Sequence, residues 1–408
     1  MPNPAPLDPT PRRRSLRRRQ GFTLIELMVA LTLGGLIVAA LFTLGGASSH
    51  HFQEQQRVGH TQQALRTAMD RLGQDLSRAG YGTISHPNAP GVNVCPSTPL
   101  LRPLPALWFD DDDNIGNTAL DAVGRSFNRV SADRVRMIGN YATSDQYLVR
   151  GLNATGSVVF LQTDWLAFRR SFFVQTATGT VLDQNRFNDT FRAGRMLHLQ
   201  TRGGSHLFVR ITDRLIDATG TTASVTVSPA IGSNNPCIEG FGEGSSVTPI
   251  SEVEYGIETA APGSALVPRD VAVTGANTQL VRQELDMGSG AVLAGTRRPI
   301  LDFAIDFNLD FIVDTNLAPG NPPNVQRVLG PAAEATVLAT PWQVRGVIAS
   351  LSGRSPDQDA RFPWPDTWSS GRPSTAPLNR FQPVQGQRGA SRVRSFAHEV
   401  HLPNLIPR

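Results

Sequence analysis

The 408-residue chain contains no lysine, only two cysteines and four tyrosines, and 18% charged residues. A soluble domain usually carries about 25% charge. Each shortage excludes something. Two cysteines cannot form a four-cysteine zinc site or a disulfide-dense scaffold. No GxSxG, P-loop or helical HExxH occurs, and no nucleophile–base pair is supported, so no catalytic residue, metal or cofactor is expected. Acid is scarce at the start, where Asp8 stands alone before residue 22. Long apolar runs are scarce as well: there is one, near the N-terminus. With 37 Gly and 30 Pro the chain is too loop-rich to be all helical, yet 40% apolar residues suffice for a core.

What is present begins with charge. The net +4 invites a nucleic-acid reading. Its distribution argues otherwise. Residues 1–21 hold Arg12, Arg13, Arg14, Arg17, Arg18 and Arg19 against one acid, a net +5; the other 387 residues hold 32 Arg and 33 acids, a net −1. Residues 22–46 follow as FTLIELMVALTLGGLIVAALFTLGG, with Glu26 the only charge. A membrane-spanning helix needs about 20 apolar residues. Arginines on the N-terminal side of such a helix keep that end in the cytoplasm and send the rest outward. No nucleic-acid partner is therefore expected.

Beyond the apolar run, Leu65, Ala68, Met69, Leu72, Leu76 and Ala79 recur at steps of three and four, with Gln62, Gln63, Arg66, Asp70, Arg71 and Gln74 opposite. That is one amphipathic face. No proline interrupts residues 22–80, and Gly80 suits a stop. The pattern predicts one helix over residues 22–79, transmembrane over 22–46 and amphipathic over 47–80. Gly34–Gly35 and Gly45–Gly46 weaken it by about 1 kcal/mol each relative to alanine; close helix packing or local bending accounts for them equally well.

Residues 81–408 read as a β-rich head with long loops. In residues 301–311, Leu301, Phe303, Ile305, Phe307, Leu309 and Phe311 alternate with polar or small residues, predicting one strand with a wet acidic face. Val253, Tyr255 and Ile257 alternate with Glu252, Glu254 and Glu258 in the same way. Shorter strands are expected at 133–138, 157–161, 195–201, 206–212, 223–228, 343–351 and 393–402. The fold class is α+β: a long N-terminal helix, then a large antiparallel β-rich head.

Gln20-Gly21-Phe22-Thr23-Leu24-Ile25-Glu26 resembles the class III signal peptide of type IV prepilins and pseudopilins. The resemblance implies cleavage by prepilin peptidase between Gly21 and Phe22, methylation of Phe22 as the new N-terminus, and a filament-assembly role for Glu26. The leader is then 1–21 and the head 81–408. DRLGQDLSRAGYG (70–82), LVRQEL (280–285), the strand at 301–311, VRGVIASLSGRS (344–355) and RVRSFAHEVHLPN (392–404) resemble PilW-like minor pilins and J-type pseudopilins. A minor pilin acting in pilus assembly initiation or the tip complex is implied. Its partners would be the peptidase, the other minor pilins and the major pilin through helix packing, and a possible tip adhesin. It would sit in the inner membrane with its head in the periplasm, then in the pilus. A minor pseudopilin of a type II secretion system, in a periplasmic pseudopilus, is the alternative; a membrane-anchored periplasmic enzyme is the reading from a different class.

Many relatives of the PilW-like class carry a cysteine directly after the Ala-Gly-Tyr turn, where this chain has Gly82-Thr83, so their disulfide pattern does not simply transfer. Cys95 and Cys237 both fall in the exported part, where two cysteines pair or stay as buried thiols. A bridge over that span contributes up to about 5 kcal/mol in the chain-entropy model. Asp110–Asp113 is a solvated acidic loop or a calcium loop, without EF-hand spacing. His398 and His401 are three apart in a strand, on opposite faces, and cannot form a helical zinc motif. Trp364 and Trp368 lie in a proline-rich excursion at 353–390, packed inward or presented to a partner.

Overall fold

A computed structural model of the protein describes residues 22–95, 105–111, 125–177, 179–231, 240–260, 277–316, 322–356, 358–383, 385–386 and 389–406. The chain divides into two compact units, Met1–Arg57 and Val58–Arg408. The boundary falls within the first helix, α1 (Leu24–Ser77).

In the first unit, Leu24–Gly45 is a 22-residue apolar stretch of mean hydropathy 2.4, with none of it buried. Its polar side chains are few and turned back on the backbone. The Thr32 hydroxyl donates to the Met28 and Val29 carbonyls at 3.0 Å, and the Thr43 hydroxyl to the Ala40 carbonyl at 2.8 Å. A span in hydrocarbon must satisfy its polar groups internally, and these two threonines do.

In the second unit the helix presents the expected face. Leu65, Ala68, Met69, Leu72, Leu76 and Ala79 are all buried and join one core cluster with Val253, Tyr255, Leu280, Phe307 and Leu351. The helix ends at Ser77, two residues short of the expected 79, and a turn leads to Gly80, whose φ of 79° is left-handed. A Cβ there would lie 2.8 Å from the Asn404 carbonyl oxygen. The chain's C-terminal end closes this helix terminus: Asn404 Nδ2 donates to the Ser77 carbonyl at 2.8 Å. Orphan carbonyls at a helix end need such partners.

The strands follow in chain order. The first sheet takes β1 (Asn93–Val94), β2 (Leu107–Asp110), β3 (Arg134–Gly139), β4 (Tyr147–Leu152) and β5 (Val158–Leu161). A separate hairpin, β6 (Phe173–Thr176) and β7 (Gly179–Leu182), interrupts it. The sheet resumes with β8 (Met196–Gln200), β9 (Ser205–Ile216), β10 (Ala223–Ser228), β11 (Ser246–Thr259), β12 (Thr278–Leu285) and β13 (Arg298–Asp302). The main path runs β1-β9-β10-β5-β4-β11-β12-β13, with β3 and β8 also bonded to β11. The second sheet holds β14 (Ala304–Asp314), β15 (Val325–Val328), β16 (Val344–Arg354), β17 (Asp359–Pro363), β18 (Arg380–Phe381) and β19 (Gly389–His401), in the order β15-β14-β16-β19-β17 with β18 on β19. All these pairings are antiparallel except β1 with β9. Among the described residues there are also four short α-helices, α2 (Arg125–Asn128), α3 (Leu166–Phe172), α4 (Gln184–Thr190) and α5 (Gly330–Ala339), and three 3₁₀ turns. The architecture is an N-terminal apolar helix followed by a large antiparallel β-rich domain.

Three local expectations change. The strand at 301–311 is two strands in two sheets. Phe303 separates β13 from β14 with φ 55°, a conformation uncommon outside glycine. Its carbonyl accepts from the Arg354 N–H at 3.0 Å, and the buried Arg354 guanidinium sits 4.7 Å over its ring. The acidic face at 252–258 is not wet: Glu252 and Glu254 are both buried. Glu254 accepts from Arg136 Nε at 2.6 Å and from Gln283 Nε2 at 2.9 Å, so neighbouring strands supply the counter-charge and donors. The start of the acidic run is also not loop, because Leu107–Asp110 forms β2; Asp112 and Asp113 lie outside the described residues. In the 353–390 excursion the aromatics pack inward: Phe127 stacks on the buried Trp364 at 5.2 Å, and Trp368 meets Trp364 edge-on at 5.0 Å.

One charge on the inner face of α1 was not anticipated. Asp75 is buried, and its Oδ2 accepts from Arg282 Nε at 2.6 Å and from the Tyr255 hydroxyl at 2.8 Å. Burial beside this carboxylate pushes the Tyr255 phenol far above its ordinary pKa, so it remains a donor. The helix is thereby tied to β11 and β12 by a buried ionic hydrogen-bond network as well as by apolar packing.

Candidate assembly segment

A helix N-terminus leaves four N–H groups unpartnered. Here two residues answer locally. The Thr23 hydroxyl accepts from the Glu26 N–H at 3.3 Å. Glu26 Oε2 in turn accepts from the Thr23 N–H and from the Thr23 hydroxyl, both at 2.9 Å. This is a reciprocal capping box, and its carboxylate also complements the positive helix end. Thr23 is the residue that sequence reasoning missed; the Thr-x-x-Glu spacing is its signal. Phe22 stands immediately outside the cap and is 89% exposed. Gly21 lies outside the described residues.

The exposed apolar surface of this segment is continuous. Leu24, Ile25, Leu27, Met28, Leu31 and Leu33 all exceed half exposure. Soluble monomers rarely show such a surface, which marks a membrane or protein contact. Gly34, Gly35 and Gly45 have nothing within 4 Å of an added Cβ, so no contact among the described residues explains them.

The other candidate residues are dispersed. Cys95 is buried and disulfide-bonded, while Cys237 lies outside the described residues. His398 and His401 are both exposed on β19. Among the described residues no group of three or more His, Cys, Asp or Glu is placed to hold a metal ion.

Residues 16–42 match the family model described as the prokaryotic N-terminal methylation motif. The match brackets the Gly21–Phe22 junction and Glu26 and runs through most of the apolar stretch, so the chain carries that motif. Among solved structures, the protein is similar to a type IV-like pilin from Thermus thermophilus, with 11% identity over 54% of this chain and 92% of that one, at a TM-score of 0.18. That score is too low to establish a shared fold. No curated protein matches the sequence.

Proposed function

We propose that the protein is a minor type IV pilin of the PilW-like class, built into a filament through its N-terminal helix. The methylation motif at residues 16–42 carries this reading. Prepilin peptidase cuts between Gly21 and Phe22 and methylates Phe22. The apolar half of α1 holds the subunit in the inner membrane, head outward, until it joins other pilins in the initiating or tip complex. The work is assembly rather than catalysis. Intact mass and N-terminal sequencing of the protein from membranes test it: a chain starting at N-methyl-Phe22 is expected, and a chain retaining residues 1–21 would overturn it.

Two further outcomes are expected. Gly34→Ala and Gly35→Ala meet no obstruction among the described residues and raise helix propensity by about 1 kcal/mol each. If another subunit packs against these glycines, the double variant is processed and folded but enters filaments poorly, as measured by its share of sheared filaments against membranes. For the head we propose a Cys95–Cys237 bridge. Reducing it lowers stability by about 3 kcal/mol, seen as a lower urea midpoint with reductant than without.

A further inference from the structure

A polar cavity of about 360 Å³ lies where three parts of the second unit meet. Its wall includes residues 80–85 and 90–92 just after α1, the β8–β9 pair, and Asn404 and Ile406 near the C-terminus. Two histidines sit in its wall. His198 is buried on β8, with its ring stacked on Phe208 at 4.7 Å. His206, half-buried on β9, is its neighbour: His198 Nε2 and His206 Nδ1 are 2.9 Å apart. The ring centroids are 5.1 Å apart with planes 18° from parallel. A nitrogen–nitrogen distance that short, between nearly parallel rings so far apart, places the rings edge to edge. Each nitrogen then points along the line joining them, which is the geometry of an N–H···N hydrogen bond.

The protons can be assigned. His198 Nδ1 is 2.8 Å from the Gly82 carbonyl oxygen, which can only accept. His198 therefore carries its proton on Nδ1, leaving Nε2 as the acceptor for Nδ1–H of His206. The chain from His206 through His198 to Gly82 survives a single proton, because His206 can then carry its own proton on Nε2 and accept from His198 Nε2–H. With both rings protonated, two N–H groups are set against each other at 2.9 Å. Among the described residues, no carboxylate lines the cavity to compensate. Charged groups on the packed elements are engaged elsewhere: Arg195 with Glu284, and Arg210 with Asp286. Arg202, in the β8–β9 turn, is exposed and of the same sign as a protonated imidazole.

This chain bonds the start of the post-helix segment to the sheet. The far end of that segment is held differently, by β1 pairing with β9 and by the Cys95 N–H donating to the His206 carbonyl at 2.8 Å. Between them, the Ser85 carbonyl accepts from the Ala106 N–H at 2.9 Å. A third imidazole belongs to the segment itself. His86 Nδ1 accepts from the Asn88 N–H at 3.0 Å, and its ring lies against Trp342 at 5.5 Å. That contact requires a ring unprotonated on Nδ1.

We propose that the His198–His206 pair is an acid-sensitive latch: it holds residues 82–92 on the head at neutral pH and releases them when the pair protonates. Burial and the neighbouring ring hold His198 down to about pKa 3, against 6.5 for a free imidazole, and burial lowers His206 as well. The sign follows from linkage. The open state binds protons more readily than the closed one, so the latch is fully effective above pH 6.5 and weakens as pH falls from 6.5 towards 3. A group with these two values favours opening by roughly 100-fold at pH 4.5 relative to pH 7.5.

The test is hydrogen exchange by mass spectrometry on the full chain in detergent micelles at pH 7.5 and 4.5, corrected for intrinsic exchange and referred to the β14–β16 core. Exchange of residues 82–92 is expected to rise tenfold or more at pH 4.5 while the core is unchanged; a smaller rise, or an equal rise in the core, would overturn the latch. The variant H198Q/H206Q keeps amide donors and acceptors but cannot titrate. It should lose most of the pH response, whereas H86Q should keep most of it; the reverse pattern would overturn the assignment to the pair. Should the double variant not fold, histidine ring ¹⁵N spectra of the wild type decide. His198 protonated on Nδ1 at pH 7.5, and still neutral below pH 6, is expected; the opposite tautomer, or ordinary titration near 6.5, would overturn it.

Discussion

Asp75→Ala is expected to destabilise the protein by about 3–5 kcal/mol, more than any single apolar truncation on the same helix face except the largest. The reason is what it leaves behind. Arg282 has a side chain only 8% exposed and gives its Nε–H to Asp75 at 2.6 Å. Its other acidic neighbour, Glu284, is 3.8 Å away and bonded to Arg195 at 2.7 Å. Without Asp75 a buried guanidinium loses its close counter-charge, and the Tyr255 hydroxyl loses its acceptor. Both charges removed together is a different case. A buried pair replaced by apolar residues of similar size is often neutral or stabilising. Asp75→Leu combined with Arg282→Met should therefore recover most of the loss. Urea denaturation of the single and double variants checks this, and equal destabilisation of the two would show that the pair itself, not the orphaned charge, matters.

That network also shows what the sequence could reveal. The apolar face of α1 was legible because Leu65, Ala68, Met69, Leu72, Leu76 and Ala79 keep a helical period, and that period is what burial requires. Asp75 was not, since an acid beside such a face reads as solvated until a partner 207 residues away is brought to it. The same holds for Glu254 and Arg136, 118 residues apart. Alternation in β11 marked two faces correctly but could not say that both are covered. At 301–311 the alternation runs through Phe303 without a break, so nothing in the pattern announces the left-handed residue that moves the chain from one sheet to the other. The histidine pair is hidden for a different reason. His198 and His206 lie on separate strands, and what makes them a unit is the register that sets Gln200 opposite His206. By contrast the capping box at Thr23 and Glu26 is written in four consecutive residues.

Glu26→Gln is expected to be processed normally yet to enter filaments no better than Glu26→Ala, with incorporation at least tenfold below the wild type. Glu26 has two separable capacities. Its Oε2 closes the capping box with Thr23. Its charge is the only one in residues 22–46, where an ionisable side chain is costly and functional by default. Glutamine preserves the first and removes the second. Alanine loses both the cap and the charge. If the proposed assembly role rests on attraction between this carboxylate and the terminal amine of a neighbouring subunit, glutamine loses that attraction as completely as alanine does. If assembly depends on the charge, the two variants fail alike despite their different caps. If Glu26→Gln assembles as the wild type does while Glu26→Ala fails, the carboxylate matters only as a helix cap, and the electrostatic part of the proposed assembly role is wrong. Comparing each variant in sheared filaments and in membranes, beside the intact mass that reports cleavage, separates loss of assembly from loss of processing.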